Sequence, residues 1–452
     1  MDGTRKPPPS DLLAVVRAVL APHLAPGARL TVGLSGGLDS VVLLDLVASL
    51  RTARDLQLDA LHVHHGLSPA ADDWAEHAVR VARRYGLECR VERVDCGAHR
   101  RLGVEGAARA ARYAAYARSG TDVVALAHHR DDQAETLLVQ LLRGAGVAGL
   151  AGMPEARRLR AGGPLVVRPL LGVRRAALLA HARAQGLEWV EDESNADLRR
   201  TRSLVRHRVL PALAALRPGV VDALARSAGH AAEAAEIADA LAGIDAAACL
   251  REERLAVAPL LALPPARARN VLRWHLAARA GSAVGGAALD ELLRQLASRR
   301  PDATIRVVLG AGIEARRYAG ELWLELGPVP EPPVGYAARW PGDREWALPA
   351  LGGRLRFHLA SGEGLAREVL EQGAEVRLRR GGERLQVRAG GPRRALKDLL
   401  QEAQVPPWER GRLPLLYCGG ELAWVARVGV SARFATRPGE PGCRVSWVRT
   451  SR

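Results

Sequence analysis

Cationic side chains of one kind are almost missing: among 65 basic residues only Lys6 and Lys397 are lysine. Phenylalanine occurs twice, and alanine is abundant, a pairing that fits a GC-rich coding bias. Cysteine is scarce as well. Cys89, Cys96, Cys249, Cys418 and Cys443 make an odd set with no CxxC spacing, which argues against a disulfide framework and against a zinc or iron–sulfur site. No run of about 18 uncharged apolar residues exists, and the opening MDGTRKPPPSDLL has no apolar centre of signal-peptide type. The expectation is a protein with no membrane span, working in the reducing cytoplasm.

Acidic residues are also in deficit. Against 65 basic residues stand 49 acidic ones, a formal net charge of +16 and a pI near 10.7. Such an excess favours a polyanionic partner, and arginine forks suit phosphates and stack on bases. Coding bias accounts for arginine in place of lysine better than it accounts for the excess. Nucleic acid is therefore favoured over a merely solvated basic surface.

With 48% hydrophobic residues the chain can bury sizeable cores, and 452 residues exceed one ordinary core. In the first half short apolar runs alternate with helical patterns, the mark of a parallel sheet covered by helices. RLTVGLS, LDALHVHH, CRVERVD, DVVALAH and PLVVRPLL read as five strands. The intervening helices are Asp39 to Leu50, about Ala70 to Tyr85, EGAARAARYAAYARSG and DDQAETLLVQLLRG, with RRAALLAHARAQG after the fifth strand. Beyond Pro218 the pattern turns alanine- and leucine-rich at helical spacing, and after the proline- and glycine-rich stretch 326–336 short alternating segments follow. The expected fold class is α/β: a Rossmann-like parallel sheet with a phosphate loop in 1–215, an α-helical domain in 216–325 and a small β-rich domain in 337–452.

The phosphate loop is Ser35-Gly36-Gly37-Leu38-Asp39-Ser40, between the first strand and the first helix after it. Glycines there let backbone N–H groups approach an anion while the helix dipole points at it. Ser35 and Ser40 add hydroxyls, and Asp39 either caps the helix or holds a cation. The GK[ST] ending of a Walker loop and the GxGxxG of a dinucleotide site are both absent.

SGGLDS after a first strand resembles the PP-loop ATP pyrophosphatase superfamily. HVHHGL (62–67), EGAARAARY (105–113), AHHRDDQAETLLVQLLRGAGVAGLAGM (127–153), VRPLL, WVEDESNAD (189–197) and the tail from Arg379 to Leu416 are, in this order and spacing, similar to the tRNA(Ile)-lysidine synthase family. The resemblance covers most of the chain and is weakest in the helical middle. Ser203 stands where the family usually has Asn, and Glu193 where proline is common.

That resemblance implies ATP-dependent joining of L-lysine to C2 of the wobble cytidine in the CAU anticodon of an isoleucine tRNA, through an adenylated cytidine, with release of AMP and pyrophosphate. It implies ATP and Mg2+ as cofactors. Ser35, Gly36, Gly37, Leu38, Asp39 and Ser40 would hold ATP, Asp39 and Asp132 the magnesium ion. Asp39, Asp132, Arg109 and His129 are the candidate catalytic set. Glu135, Arg112, Arg143, Arg202 and Arg206 are candidates for contacting the tRNA substrate. Asp132 has helix capping as its rival role, Glu135 a solvated first-turn position, and Arg109 a surface pair with Glu105. Trp408 reads as a core or interface side chain rather than a base platform. A homodimer is left open. The competing readings are a PP-loop tRNA thiolase, disfavoured by the lack of CxxC and of cysteines near the motifs, and a non-catalytic RNA-binding protein, disfavoured by the intact SGGLDS.

Overall fold

The computed structural model describes residues 12–51, 56–97, 103–160, 162–191, 197–280, 284–298, 305–310, 312–327 and 331–449. They fall into two compact units, Met1–Ala238 and Asp239–Arg452. Glu193, one of the two departures from the family pattern, lies outside the described residues, as does part of the stretch 326–336.

The first unit opens with α1 (Leu12–Leu20), which the apolar pattern had not separated from its proline-rich surroundings. Then come β1 (Arg29–Gly33), α2 (Leu38–Ala48), β2 (Gln57–His64), α3 (Ala71–Arg84), β3 (Cys89–Arg93), α4 (Gly103–Arg118), β4 (Val123–Ala125) and α5 (Arg130–Leu142). A hairpin of β5 (Ala156–Arg158) and β6 (Leu165–Val167) precedes α6 (Arg175–Ala184). The strand order is β3-β2-β1-β4-β6-β5. All neighbours pair in parallel except β5 with β6. The expected parallel sheet is thus present, with one added antiparallel edge strand of three residues, too short to carry a periodic signal.

The sheet separates two apolar layers. On one side α1, α2 and α6 pack over Leu30, Val32 and Val167; α2 buries eight of its eleven residues, seven of them apolar. On the other side Tyr116 of α4 packs with Leu61, Val124, Leu126 and Val166. Gly33 is required there, since a Cβ would lie 2.5 Å from Leu126 Cδ2 and 2.8 Å from Tyr116 Oη. Sheet order reverses between β1 and β4, and in such sheets ligands bind beyond the strand ends where the order reverses. SGGLDS follows β1 and HHRDD follows β4, so both candidate motifs sit at that point.

A helical run at 201–216, with one π turn over Val205–Val209, leads to the long α7 (Val220–Cys249). In the second unit the expected helices are present as α8 (Val257–Ala262), α9 (Pro265–Ala280) and α10 (Gly286–Ser298). They are joined by an antiparallel sheet of β7 (Leu250–Arg251), β8 (Arg254–Ala256), β9 (Ile305–Gly310), β10 (Ile313–Tyr318) and β11 (Glu321–Leu326), in the order β7-β8-β11-β10-β9. The helical middle is therefore α/β in detail, with Val271, Leu272, Leu292 and Ile305 in one core. The last part is β-rich as expected. It has one sheet of five strands and one of four, the latter built on Gly353–Ser361 paired along its length with Pro441–Arg449. Among the described residues no helix is long and apolar enough to cross a membrane.

Candidate active site

Gly36 takes φ +88°, the left-handed region that glycine enters at no steric cost, and its carbonyl accepts a hydrogen bond from Val190 N–H at 3.0 Å. A Cβ there would meet His77 and Val190 side-chain carbons at 3.3 Å. Val190 belongs to the WVEDESNAD motif, so that motif closes down on the loop. His62 Nδ1 lies 2.9 Å from the Leu34 carbonyl and fixes the strand end just before it. Burial outweighs that bond and holds the His62 ring below its ordinary pKa.

The two serines work inside the loop. Ser40 Oγ donates to Gly37 O at 3.0 Å and accepts from Ser35 N–H at 3.2 Å, while the two hydroxyls are 3.0 Å apart. With the Ser40 proton committed to Gly37, Ser35 Oγ is the donor to Ser40. Both hydroxyl protons are therefore spent on shaping the loop. The groups left to face an anion are the backbone N–H groups of Gly36 and of Leu38 and Asp39 at the start of α2, where a helix leaves its first donors without intrahelical acceptors.

Across the crevice His129 caps α5. Its Nδ1 accepts from Asp132 N–H at 3.3 Å, and Asp132 Oδ2 accepts from His129 N–H at 3.0 Å, a reciprocal box. With Nδ1 accepting, the ring proton sits on Nε2. That atom lies 3.6 Å from Asp39 Oδ2 and 3.5 Å from Asp132 Oδ2. Asp39, Asp132 and His129 are thus brought together, and Asp132 is at the same time half of the capping box. Burial works against a charge on His129, but Asp39, Asp132 and Asp131 outweigh it and raise its pKa. Asp131 faces the other way, accepting from Arg175 N–H at 2.9 Å with Arg174 Nε at 3.3 Å.

Glu135 is 1% exposed, which removes the solvated alternative. Its carboxylate takes Arg202 Nε at 2.8 Å and Arg206 Nε at 2.5 Å, and both guanidinium groups also donate to Asp132 Oδ1, at 2.9 and 3.2 Å. Burial also raises Asp132, but His129 and Arg202 prevail and hold its pKa below the ordinary carboxylate range. Arg202, Arg206, Asp132 and Glu135 form one neutralising cluster. The two arginines are spaced one turn apart across the π segment, so both reach the same carboxylates. Ser203, between them, is buried.

Arg109 is not paired with Glu105 among the described contacts; its guanidinium lies 4.8 Å from the Tyr113 ring centre and donates to Tyr113 Oη at 3.3 Å. Arg112 Nε is 3.3 Å from His65 Nε2. His65 in turn has Cys96 Sγ 3.8 Å from its Nδ1, so one cysteine does lie beside a motif, contrary to expectation. It stands alone: all five cysteines are free, and no group of three His, Cys, Asp or Glu positioned for a metal occurs among the described residues. His128 is pushed down to about 3 by burial, and its Nδ1 is buried without a partner. Arg143 is exposed at the far end of α5, about 16 Å along the helix from Asp132, and is not part of this site.

For a magnesium ion the fit is good at Asp39, whose Oδ1 is buried with no hydrogen-bond partner. Asp132 offers only lone pairs left over from its arginine and backbone bonds. One or two carboxylates completed by substrate phosphates is how Mg2+ is usually held. Arg168 was missed in the sequence, as were Arg175, whose Nε is 3.7 Å from Asp39 Oδ1, and the Val190 clamp. The VRPLL and WVEDESNAD motifs were the signal available.

Comparison with known proteins is consistent with this geometry. Residues 13–213 match the sequence model of the PP-loop domain, 255–323 that of the TilS substrate binding domain, and 374–447 that of the TilS substrate C-terminal domain. The tRNA(Ile)-lysidine synthase of Nitrosomonas europaea is 39% identical over 442 residues, 97% of this chain and 96% of that one. The Chromobacterium violaceum protein of the same name is 45% identical over 412 residues, 90% of this chain and 93% of that one. A solved structure, the U34-tRNA thiolase NcsA from Methanococcus maripaludis with its [4Fe-4S] cluster, aligns at TM-score 0.42 and 20% identity over 49% of this chain and 79% of that chain, too distant to carry an argument.

Proposed function

This chain belongs to the tRNA(Ile)-lysidine synthase family, and we propose from that premise how its residues divide the work. The enzyme is an ATP-dependent ligase. It joins L-lysine to C2 of the wobble cytidine of the CAU anticodon of tRNA(Ile), by way of an adenylated cytidine, and releases AMP and pyrophosphate. The product lysidine pairs with A instead of G, so the codon read changes from AUG to AUA.

The observation that carries the division of roles is the meeting of Asp39 and Asp132 at His129 Nε2, directly beside the SGGLDS loop. The backbone N–H groups that open α2, with that of Gly36 before them, hold the triphosphate, while Ser35 and Ser40 keep the loop in shape. Asp39, with a lone pair left over on Asp132, would hold Mg2+, which when bound offsets charge on the departing pyrophosphate. Glu135 is spent on Arg202 and Arg206, and the two arginines fix Asp132 in place, where its remaining lone pairs orient the lysine ammonium. His129, with its proton on Nε2 between Asp39 and Asp132, holds those two carboxylates together beside the loop. Arg109, exposed beside Tyr113, faces the cytidine. The site of action is the cytoplasm, where free thiols persist.

AMP release is measured with ATP, lysine and a tRNA(Ile) transcript bearing CAU, alongside mass spectrometry of the cytidine. AMP and a lysine adduct are expected only when all three are present; no AMP in the full mixture would sink the reading.

A further inference from the structure

The β5–β6 hairpin was not foreseen as a separate element, and its chemistry is one-sided. From Ala156 to Arg168 the sequence is ARRLRAGGPLVVR, four arginines with no acidic residue. Arg157, Arg158 and Arg160 are exposed at the edge of the sheet. Arg168, at the end of β6, is 1% exposed.

Burying a guanidinium without a carboxylate is costly, and its contacts here are unusually lean. Arg168 Nη1 donates to Pro154 O at 2.6 Å and Nη2 to Tyr113 Oη at 3.0 Å, while Nε is buried without a partner. Arg109 and Arg157 flank the same Tyr113 ring, at 4.8 and 5.6 Å from its centre. Arg158 and Arg160 donate only to the carbonyls of Gly163 and Ala117. None of these five arginines pairs with a carboxylate among the described residues. The contrast with Arg202 and Arg206 is direct, since those two are neutralised by Asp132 and Glu135.

We propose that Tyr113 and the arginines of this hairpin form a second anion site, which takes backbone phosphates of the RNA strand carrying the target cytidine. This rests on the tRNA reading above and deepens it. ATP is the poorer occupant, because its phosphates face the first turn of α2, whereas Arg157, Arg158 and Arg160 lie on the exposed edge of the sheet. An exposed edge hairpin also suits a polyanion that runs on beyond one nucleotide. Burial pushes the Tyr113 phenol up, but Arg109 and Arg168 outweigh it and bring it below its ordinary value, as an uncompensated positive field should.

The test compares the full-length wild type with R157Q/R160Q and R157K/R160K, using an unmodified CAU-anticodon tRNA transcript and, separately, ATP. Both side chains are exposed, and melting curves verify the fold. The glutamine pair should bind tRNA several-fold more weakly, and the slope of log affinity against log salt should fall by about 1 for each lost phosphate contact. ATP affinity should stay unchanged, and the lysine pair should restore the slope. An unchanged slope in the glutamine pair, a matching loss of ATP affinity, or no rescue by lysine overturns the proposal. Wild-type lysidine formation is scored independently: a chain that shows the slope change but makes no lysidine loses the ligase reading and keeps this site.

Discussion

At Glu135 two guanidinium groups close on one carboxylate, and the energy of that arrangement lies in what happens when it is broken. Glu135→Ala leaves Arg202 and Arg206 facing each other over Asp132 alone. Breaking a buried pair costs about 3–5 kcal/mol, and with both arginines about a third exposed the lower end applies. Urea unfolding of the variant should show a loss near 3 kcal/mol, and a loss under 1 kcal/mol would mean the cluster is not structural. Asp39 is the opposite case. Its contacts with His129 and Arg175 are long, 3.6 and 3.7 Å, so they contribute little to the fold. Asp39→Ala should keep the melting temperature within about 2 °C, because few good contacts are lost. AMP production should drop at least about 100-fold, because a group facing the developing charge is gone; a variant that turns over normally excludes the role given to Asp39.

Elements show the same distinction between paired and spare charge. In the β9–β10 ladder Arg306 stands directly opposite Arg316, an unfavourable cross-strand pair. Glu314, two residues along on the same face, resolves it: Arg306 donates to it at 2.9 and 2.6 Å and Arg316 at 3.0 Å. The bond with Arg306 is the main reason its pKa falls from 4.5 to about 2. A depressed carboxylate contributes stability that is complete above its unfolded value and lost as pH falls through the folded one. The second unit should therefore lose stability between about pH 4.5 and pH 2. In Glu314→Gln that part of the acid limb should be missing from stability curves taken at several pH values, and the variant should be the weaker protein at pH 7. An identical acid limb in both proteins would show that Glu314 does not titrate in this window.

For the whole molecule, two compact units predict two unfolding events. Within the second, Trp408 ties the C-terminal β part to the middle sheet. Its ring meets Tyr318 at 6.0 Å and 81° and Trp323 at 6.2 Å and 87°, with Arg316 5.0 Å from its centre, while Arg410 donates to Tyr318 Oη at 3.2 Å. Edge-to-face pairs add about 0.5–1.5 kcal/mol each beyond burial. Trp408→Ala should lower one calorimetric transition by about 1–3 kcal/mol on that basis and leave the PP-loop transition in place. A shift of both transitions together would mean that the units unfold as one. Trp408 is accordingly an interface side chain, one of the two roles, core or interface, that its sequence context had left open.

Much of the first unit was legible because parallel strands and their helices are encoded over a dozen residues at a time. Five strands, the loop SGGLDS and the cap at Asp132 follow from local apolar period and glycine placement. The three-residue β5 and the sheet after α10 were not, since short strands carry too few residues for a period to register. Arginine was the hardest residue to read. Arg202 and Arg168 look alike in the chain, yet one lies on carboxylates 67 and 70 residues away and the other on a phenol 55 residues away. Sequence alone determined the fold class, the family and where the phosphate loop sits, because these rest on local patterns and their order. Only the tertiary structure decided which charges are spent on each other and which remain for substrate, because that depends on which distant side chains packing brings within hydrogen-bond reach.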